Sequence, residues 1–205
     1  MVAASLDAHW NDAYATKGDN VSWYQDRPDR SLAMIRAAAG ERPASVIDIG
    51  GGASRLVDAL LADGCADVSV LDISAVALER AKARLGPAAA KVDWIVADIT
   101  QWRPARTWAV WHDRAVFHFL IDTTAQDAYI AALKQGTTPG AAIVMATFAL
   151  TGPEKCSGLP VQRYSAATLA GRLGNDIVLE AEATEGHPTP FGTTQDFTFA
   201  TFRRR

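Results

Sequence analysis

The sequence predicts an α/β fold in which a mostly parallel sheet carries helices on both faces and closes with an antiparallel hairpin. Three observations predict it. Short apolar runs alternate with amphipathic stretches along most of the 205 residues, as parallel strands covered by helices require. One run ends in three consecutive glycines, Gly50, Gly51 and Gly52, the shape of a strand that stops at a ligand site. The last two runs follow one another with no helix between them, which suits an antiparallel pair.

Leu6, Trp10, Ala13 and Tyr14 recur at helical spacing and predict a helix over 5–17. An irregular aromatic segment, GDNVSWYQD, leads to Asp26. Pro28 suits the first position of the next helix, with Leu32, Ile35 and Ala39 on one face and Gly40 as its stop. Val46 to Ile49 is the first strand, rich in β-branched residues. After the glycines a helix runs from about Ser54, which can cap it, to Gly64. Val68 to Asp72 is the second strand. Ser74 caps a helix over Ala75 to Leu85, ended by Gly86 and Pro87. Val92 to Val96 is the third strand and leads to Asp98.

Trp108 to Trp111 is the fourth strand, with His112, Asp113 and Arg114 at its end. Ala125 to Leu133 is a helix, and Gly136 to Gly140 a turn. Ala141 to Phe148 is a very apolar and therefore central fifth strand. A helix near Ala166 to Leu173 precedes two strands, Asp176 to Ala183 and Asp196 to Phe202, joined through GHPTPFG by a loop of about ten residues. The sheet then has seven strands.

Hydrophobic residues make up 49% of the chain and charged residues 21%, with a net charge of −3. This ordinary globular composition suits one domain and gives no reason to expect a nucleic-acid or membrane partner. No apolar run is long enough to span a bilayer, and the first residues do not read as a secretory signal. Cys65 and Cys156 lie far apart and suggest no disulfide framework. Arg203 to Arg205 reads as a solvated end. A cytosolic protein, monomeric or weakly dimeric, is expected.

Three carboxylates fall at or near the ends of successive strands: Asp48, Asp72 and Asp98. Those ends face one crevice. A carboxylate after the second strand can accept both hydroxyl hydrogens of a ribose. Asp98 can reach the exocyclic amine of an adenine, and Asp48 an ammonium or water. A dinucleotide site would want a third glycine at position 55. Arg55 stands there and would crowd the helix against the strand. An acid before the glycines would also repel a pyrophosphate. S-adenosylmethionine has no phosphate and carries an ammonium, so it fits this set.

On these residues the chain resembles the class I S-adenosylmethionine-dependent methyltransferases over nearly its whole length. VIDIGGGASRL resembles their first motif, VLDIS their second and IVADI their third. The resemblance implies a Rossmann-like sheet and cofactor contacts at Asp48, Gly50, Gly51, Gly52, Asp72, Ile73, Asp98, Ile99 and His112. HWNDAYATKG with SWYQDRP resembles the N-terminal lid of thiopurine and thiol/halide methyltransferases. It implies a lid over 1–27 on a core of 28–205, with Trp23 and Tyr24 over the cofactor and Trp10 and Tyr14 near the acceptor. VWHDRAVFHFL resembles the segment after their fourth strand, and SGLPVQRYSAATL their loop before the last helix. Lysine-modifying methyltransferases share the lid, but their segment usually reads Asp-Lys-Gly where this chain has Asp113-Arg114-Ala115.

Methyl transfer from a sulfonium is an in-line displacement, so the protein mainly positions the reactants and excludes water. A soft anion such as a thiolate needs no strong base, whereas a lysine amine must first lose a proton. Asp113, Arg114 and His118 are the catalytic candidates. Arg114 suits an anionic acceptor, and His118 shares its face if a helix starts at Arg114. Cys156 is placed at the acceptor. His112, His118, Cys156 and His187 lack the close spacing of zinc ligands, so no metal is expected. The expected activity is methylation of a small thiol or similarly soft nucleophile. Protein lysine methylation, a non-catalytic cofactor binder and a dehydrogenase are the alternatives.

Overall fold

The computed structural model describes residues 5–18 and 20–205. Residues 1–4 and 19, part of the expected lid, lie outside them. The elements in chain order are α1 (Leu6–Lys17), α2 (Asp29–Ala39), β1 (Val46–Ile49), α3 (Leu56–Ala62), β2 (Val68–Asp72), α4 (Ala75–Leu85), β3 (Val92–Val96) and β4 (Trp108–Arg114). They continue as α5 (Thr123–Gln135), β5 (Thr137–Phe148), β6 (Lys155–Cys156), β7 (Leu159–Pro160), α6 (Ala166–Leu173), β8 (Ile177–Pro188) and β9 (Thr194–Arg204). Seven strands form one sheet in the order β3-β2-β1-β4-β5-β9-β8. β1 to β5 run parallel, and β9 is antiparallel to both β5 and β8. The expected fold class is therefore the observed one.

The pleat divides the core in two. Val46 of β1 packs on the face covered by α2 and α3, with Leu32, Ile35 and Leu56. Ile47 and Ile49 pack on the face covered by α5 and α6, with Tyr129, Leu133 and Leu169. Strand alternation sends successive side chains to opposite layers, so Asp48 turns toward α2.

Three expectations change. The turn expected at residues 136–140 is the start of β5: Thr137 pairs with Trp108, and the register then shifts before Val110 meets Ala142. The Trp108 N–H takes the Gly136 carbonyl at 2.9 Å, which draws the chain into the sheet directly from α5. The last hairpin is longer than expected, because Gly186, His187 and Pro188 pair with residues 194–196, leaving a loop of five residues. Pro188 is tolerated there because β8 is an edge strand. β4 extends to Arg114, so no helix starts there. Instead Ala115 takes a left-handed φ of 73°, and a 3₁₀ turn follows at Phe117–Phe119.

That corner hangs on Asp113. Its Oδ1 accepts the Val116 N–H at 2.8 Å, and its Oδ2 the Phe117 N–H at 3.1 Å and the Tyr129 hydroxyl at 2.6 Å. Trp111 Nε1 donates to the same hydroxyl at 2.9 Å. Tyr129→Phe removes both bonds at a fully buried site. It is expected to cost about 1–3 kcal/mol and, at roughly 2–4 °C per kcal/mol, to lower the Tm measurably. An unchanged Tm in thermal denaturation would show that the corner does not depend on this hydroxyl.

Candidate active site

The chain builds outward from β1 to β3, then returns to the other side of β1 with β4. Such a reversal opens a crevice at the carboxyl ends of the strands. A cavity of about 300 Å³ lies there, and a smaller one of about 60 Å³ adjoins it beside Asp48. Tyr14, Trp23, Gly50 and Arg114 wall both.

The glycine turn leaves no room for side chains. A Cβ on Gly51 would come within 2.6 Å of Asp48 Oδ2. One on Gly52 would come within 2.7 Å of the Tyr14 hydroxyl and 2.9 Å of Asp72 Oδ2, at a left-handed φ of 47°. Asp72 is buried at the end of β2, and its Oδ1 accepts the Ser74 N–H at 2.7 Å. Burial, with help from the Asp48 charge, pushes its carboxyl up to about 7. Asp98 ends the β3 segment, and its Oδ1 accepts the N–H and hydroxyl of Thr100 at 2.9 and 2.7 Å. Asp72, Asp98, Ile73 and Ile99 all line the larger cavity. Bare backbone, two carboxylates and two apolar walls on one cavity fit a ligand with a sugar diol and a flat base.

His112 and Asp48 wall the smaller cavity. They are partners across β1 and β4, with His112 Nδ1 2.6 Å from Asp48 Oδ1 and Nε2 2.9 Å from the Ser31 hydroxyl. His112 thus meets Asp48 and Ser31, an arrangement the sequence did not suggest.

The lid aromatics stack over the larger cavity. Trp10 meets Trp23 and Phe119 edge-on at 5.6 and 5.2 Å, and Tyr14 meets Trp23 at 6.1 Å. Tyr24 lies apart, on the smaller cavity, with its hydroxyl on Asp26 at 2.8 Å. The Arg55 guanidinium lies over the Tyr24 ring at 5.9 Å. Arg55 therefore reaches out to the lid loop and does not crowd the helix against the strand.

The three catalytic candidates part company. Arg114 faces both cavities. Its Nη1 donates to the Trp23 carbonyl at 3.0 Å and its plane covers the Phe197 ring at 4.7 Å, while Nε and Nη2 are shielded from solvent and unpaired. Burial lowers this guanidinium to about 10. Asp113 lines neither cavity; it is fully buried, holding the corner, and burial raises it to about 6. His118 is also fully buried and off the cavities. Its Nδ1 accepts the Phe148 N–H at 3.2 Å, and burial lowers it to about 3, so the ring is neutral. Neither Asp113 nor His118 reaches an acceptor. Cys156 sits on the cavity wall in β6, where burial raises its thiol to about 11 against the pull of Arg114.

The sequence reading missed Ser31, which only the folded register brings to His112. It also missed Phe148 and Phe197, which line the larger cavity but read as ordinary core residues. Among the described residues no group of three or more His, Cys, Asp or Glu side chains is arranged to hold a metal, and no helix is long and apolar enough to cross a membrane.

Residues 46–140 match the model of a methyltransferase domain. No curated protein sequence matches the chain. Solved structures match over most of their length. The N-methyltransferase NodS from Bradyrhizobium japonicum WM9, in complex with S-adenosyl-L-homocysteine, is 17% identical with a TM-score of 0.69, over 96% of this chain and 98% of that one. The 1,6-didemethyltoxoflavin-N1-methyltransferase of Burkholderia thailandensis, bound to 1,6-didemethyltoxoflavin and S-adenosylhomocysteine, is 18% identical at 0.67, over 94% and 81%. A structure described under the conversion of a disulfide bond into a thioacetal group during echinomycin biosynthesis is 20% identical at 0.72, over 97% and 93%. At these identities the likeness is one of fold. Residues 46–140, from β1 into β5, thus match a methyltransferase domain, and they lie on a seven-stranded sheet whose fold these methyltransferase structures share.

Because the Asp72 carboxyl titrates near neutrality, cofactor binding is expected to depend on pH. With a ribose at Asp72, only the ionised carboxylate could accept both hydroxyls. Affinity for S-adenosylhomocysteine should fall as pH drops through about 7 and level off above it. Calorimetry between about pH 5.5 and 8.5 reads this, and Asp72→Asn should flatten the profile while weakening binding by about 1–3 kcal/mol. A flat wild-type profile would remove Asp72 from the ribose.

Proposed function

We propose that the enzyme methylates a small thiol or similarly soft nucleophile inside the larger cavity, with Arg114 holding the acceptor as an anion. The observation that carries this reading is Arg114 itself: two N–H-bearing atoms, dry and unpaired, on a guanidinium at the wall of an aromatic cavity. A desolvated cation attracts an anion far more strongly than one in water. The glycine turn and Asp48 take the cofactor's amino-acid end, Asp72 the ribose, and Asp98, Ile73 and Ile99 the adenine. Trp10, Tyr14 and Trp23 close over the reacting atoms and exclude water, and a ring beside a sulfonium gains cation–π attraction.

The bound cofactor supplies an electrophilic methyl on a positively charged sulfur. Arg114 lowers the pKa of an incoming thiol, whose proton goes to solvent before the lid closes. Held by the glycine turn, Asp72 and Asp98, the cofactor would give its methyl to the thiolate at Arg114 and would keep the electron pair of the broken carbon–sulfur bond as a thioether. Asp113 and His118 lie off the cavity, and this reading gives the two carboxylates that line it, Asp72 and Asp98, to the cofactor. A soft anion needs no base, and a lysine ammonium does. Arg114 would also repel that ammonium, and the aromatic walls leave little space for a protein chain. The same reading keeps a single-domain cytosolic enzyme, monomeric or weakly dimeric, with a small-molecule acceptor.

Mass spectrometry of products from a panel of thiols, hydrogen sulfide, selenide and halides tests the acceptor. Methylated thiol or selenide is expected; label appearing only in a protein lysine would overturn the reading. Arg114→Met is expected to lower kcat/KM for the best acceptor by about 10²-fold while S-adenosylhomocysteine affinity changes little. Unaltered turnover in that variant would equally defeat it.

A further inference from the structure

Three acids end buried near the carboxyl edge of the sheet, and Asp48 differs from the other two in its donor. Asp72 and Asp113 accept backbone N–H groups, Asp113 with the Tyr129 hydroxyl besides. Asp48 accepts from a side chain, His112 Nδ1, at 2.6 Å. The far nitrogen of that ring is 2.9 Å from the Ser31 hydroxyl on α2. All three side chains are almost sealed, at 3%, 3% and 1% exposure for Asp48, His112 and Ser31. The other carboxylate oxygen lies beneath Gly51, where a Cβ would stand 2.6 Å away. The smaller cavity opens there, walled by Asp48, Gly50 and Gly51.

The chemistry of the chain is specific. A buried carboxylate needs a donor to stay ionised. Lysine or arginine would supply one and also cancel its charge. An imidazole supplies an N–H without the fixed positive charge of those two side chains. An ionised carboxylate only accepts, so the Nδ1 facing Asp48 is the donor, and the Ser31 hydroxyl fixes the other edge of the ring through Nε2.

We propose that His112 and Ser31 are positioning residues, which hold the Asp48 carboxylate aimed through the glycine turn at the ammonium of the cofactor's amino-acid end. Neither residue touches the cofactor; both act through Asp48. The inference rests on the reading of these cavities as the cofactor site, and its test separates the two.

Calorimetry with two ligands does so. S-adenosylhomocysteine carries the amino-acid end, and methylthioadenosine keeps the nucleoside and sulfur without it. His112→Leu is expected to weaken S-adenosylhomocysteine about tenfold or more, and methylthioadenosine by less than about twofold. His112→Asn should restore most of the loss, because its amide N–H stands where Nδ1–H does. Ser31→Ala, the mildest change and the safeguard should His112→Leu fail to fold, is expected to cost about threefold for S-adenosylhomocysteine alone. Equal loss for both ligands, or no loss for either, overturns the positioning role. Wild-type protein that binds neither ligand overturns the cofactor reading and the inference with it.

Discussion

The structure depends on keeping three carboxylates dry near one edge of a parallel sheet. Asp48, Asp72 and Asp113 are 3%, 6% and 0% exposed, and an unpaired buried carboxylate costs several kcal/mol. Each is satisfied differently, and each solution shapes the crevice. Asp113 binds two N–H groups of the chain that follows it. This folds the chain into a corner and presses Val116 over Gly50, where an added Cβ would lie 2.0 Å from Val116 Cγ2. Asp72 binds the Ser74 N–H, and Ser74 caps α4 through its hydroxyl on Ala77 N at 3.1 Å. Asp48 takes the imidazole of the neighbouring strand. Only Asp48 and Asp72 keep an oxygen directed at the glycine turn.

The lid is fastened to the same edge. Asn11 of α1 lies 2.8 Å from the Ser74 hydroxyl and accepts the Val76 N–H at 3.3 Å. Arg80 of α4 donates to the Tyr14 carbonyl at 2.5 Å. Farther on, Arg114 donates to the carbonyl of Trp23. The capping serine of α4 and Arg114 of β4 therefore hold the lid at its two ends. Whatever occupies the cavity and engages the remaining N–H groups of Arg114 also bears on the segment that covers it.

Much of this was legible in the sequence. The alternation of apolar runs and helical stretches specified the sheet, its parallel sense and the closing hairpin, because burial on both faces leaves a continuous apolar signature. The glycines and the strand-end acids marked the crevice for the same reason. Strand limits were less legible. Thr137 to Gly140 read as a turn from composition, yet a carbonyl of Gly136 draws them into the sheet. Arg55 read as an obstacle in a packing contact, yet its long side chain leaves that contact for Tyr24. Ser31 could not be read at all, since nothing local distinguishes a helix serine that meets a histidine 81 residues away.

The segment His112-Asp113-Arg114 is the instructive case. As polar residues at the end of a strand, Asp113 and Arg114 read as catalytic and His112 as a cofactor contact. They belong to the strand itself, and a strand turns successive side chains to opposite faces. His112 and Arg114 share the side of α2 and the lid, while Asp113 points the other way, to Tyr129 on α5. The pleat thus withdraws the acid from the cation beside it and leaves the cation alone on the cavity. It also withdraws the base that an amine acceptor would need. A dry cation on the cavity, with Asp113 turned away from it, suits an acceptor that arrives with its charge already developed. The proposed preference for a soft anion rests on where β4 ends and on which way its last three side chains face.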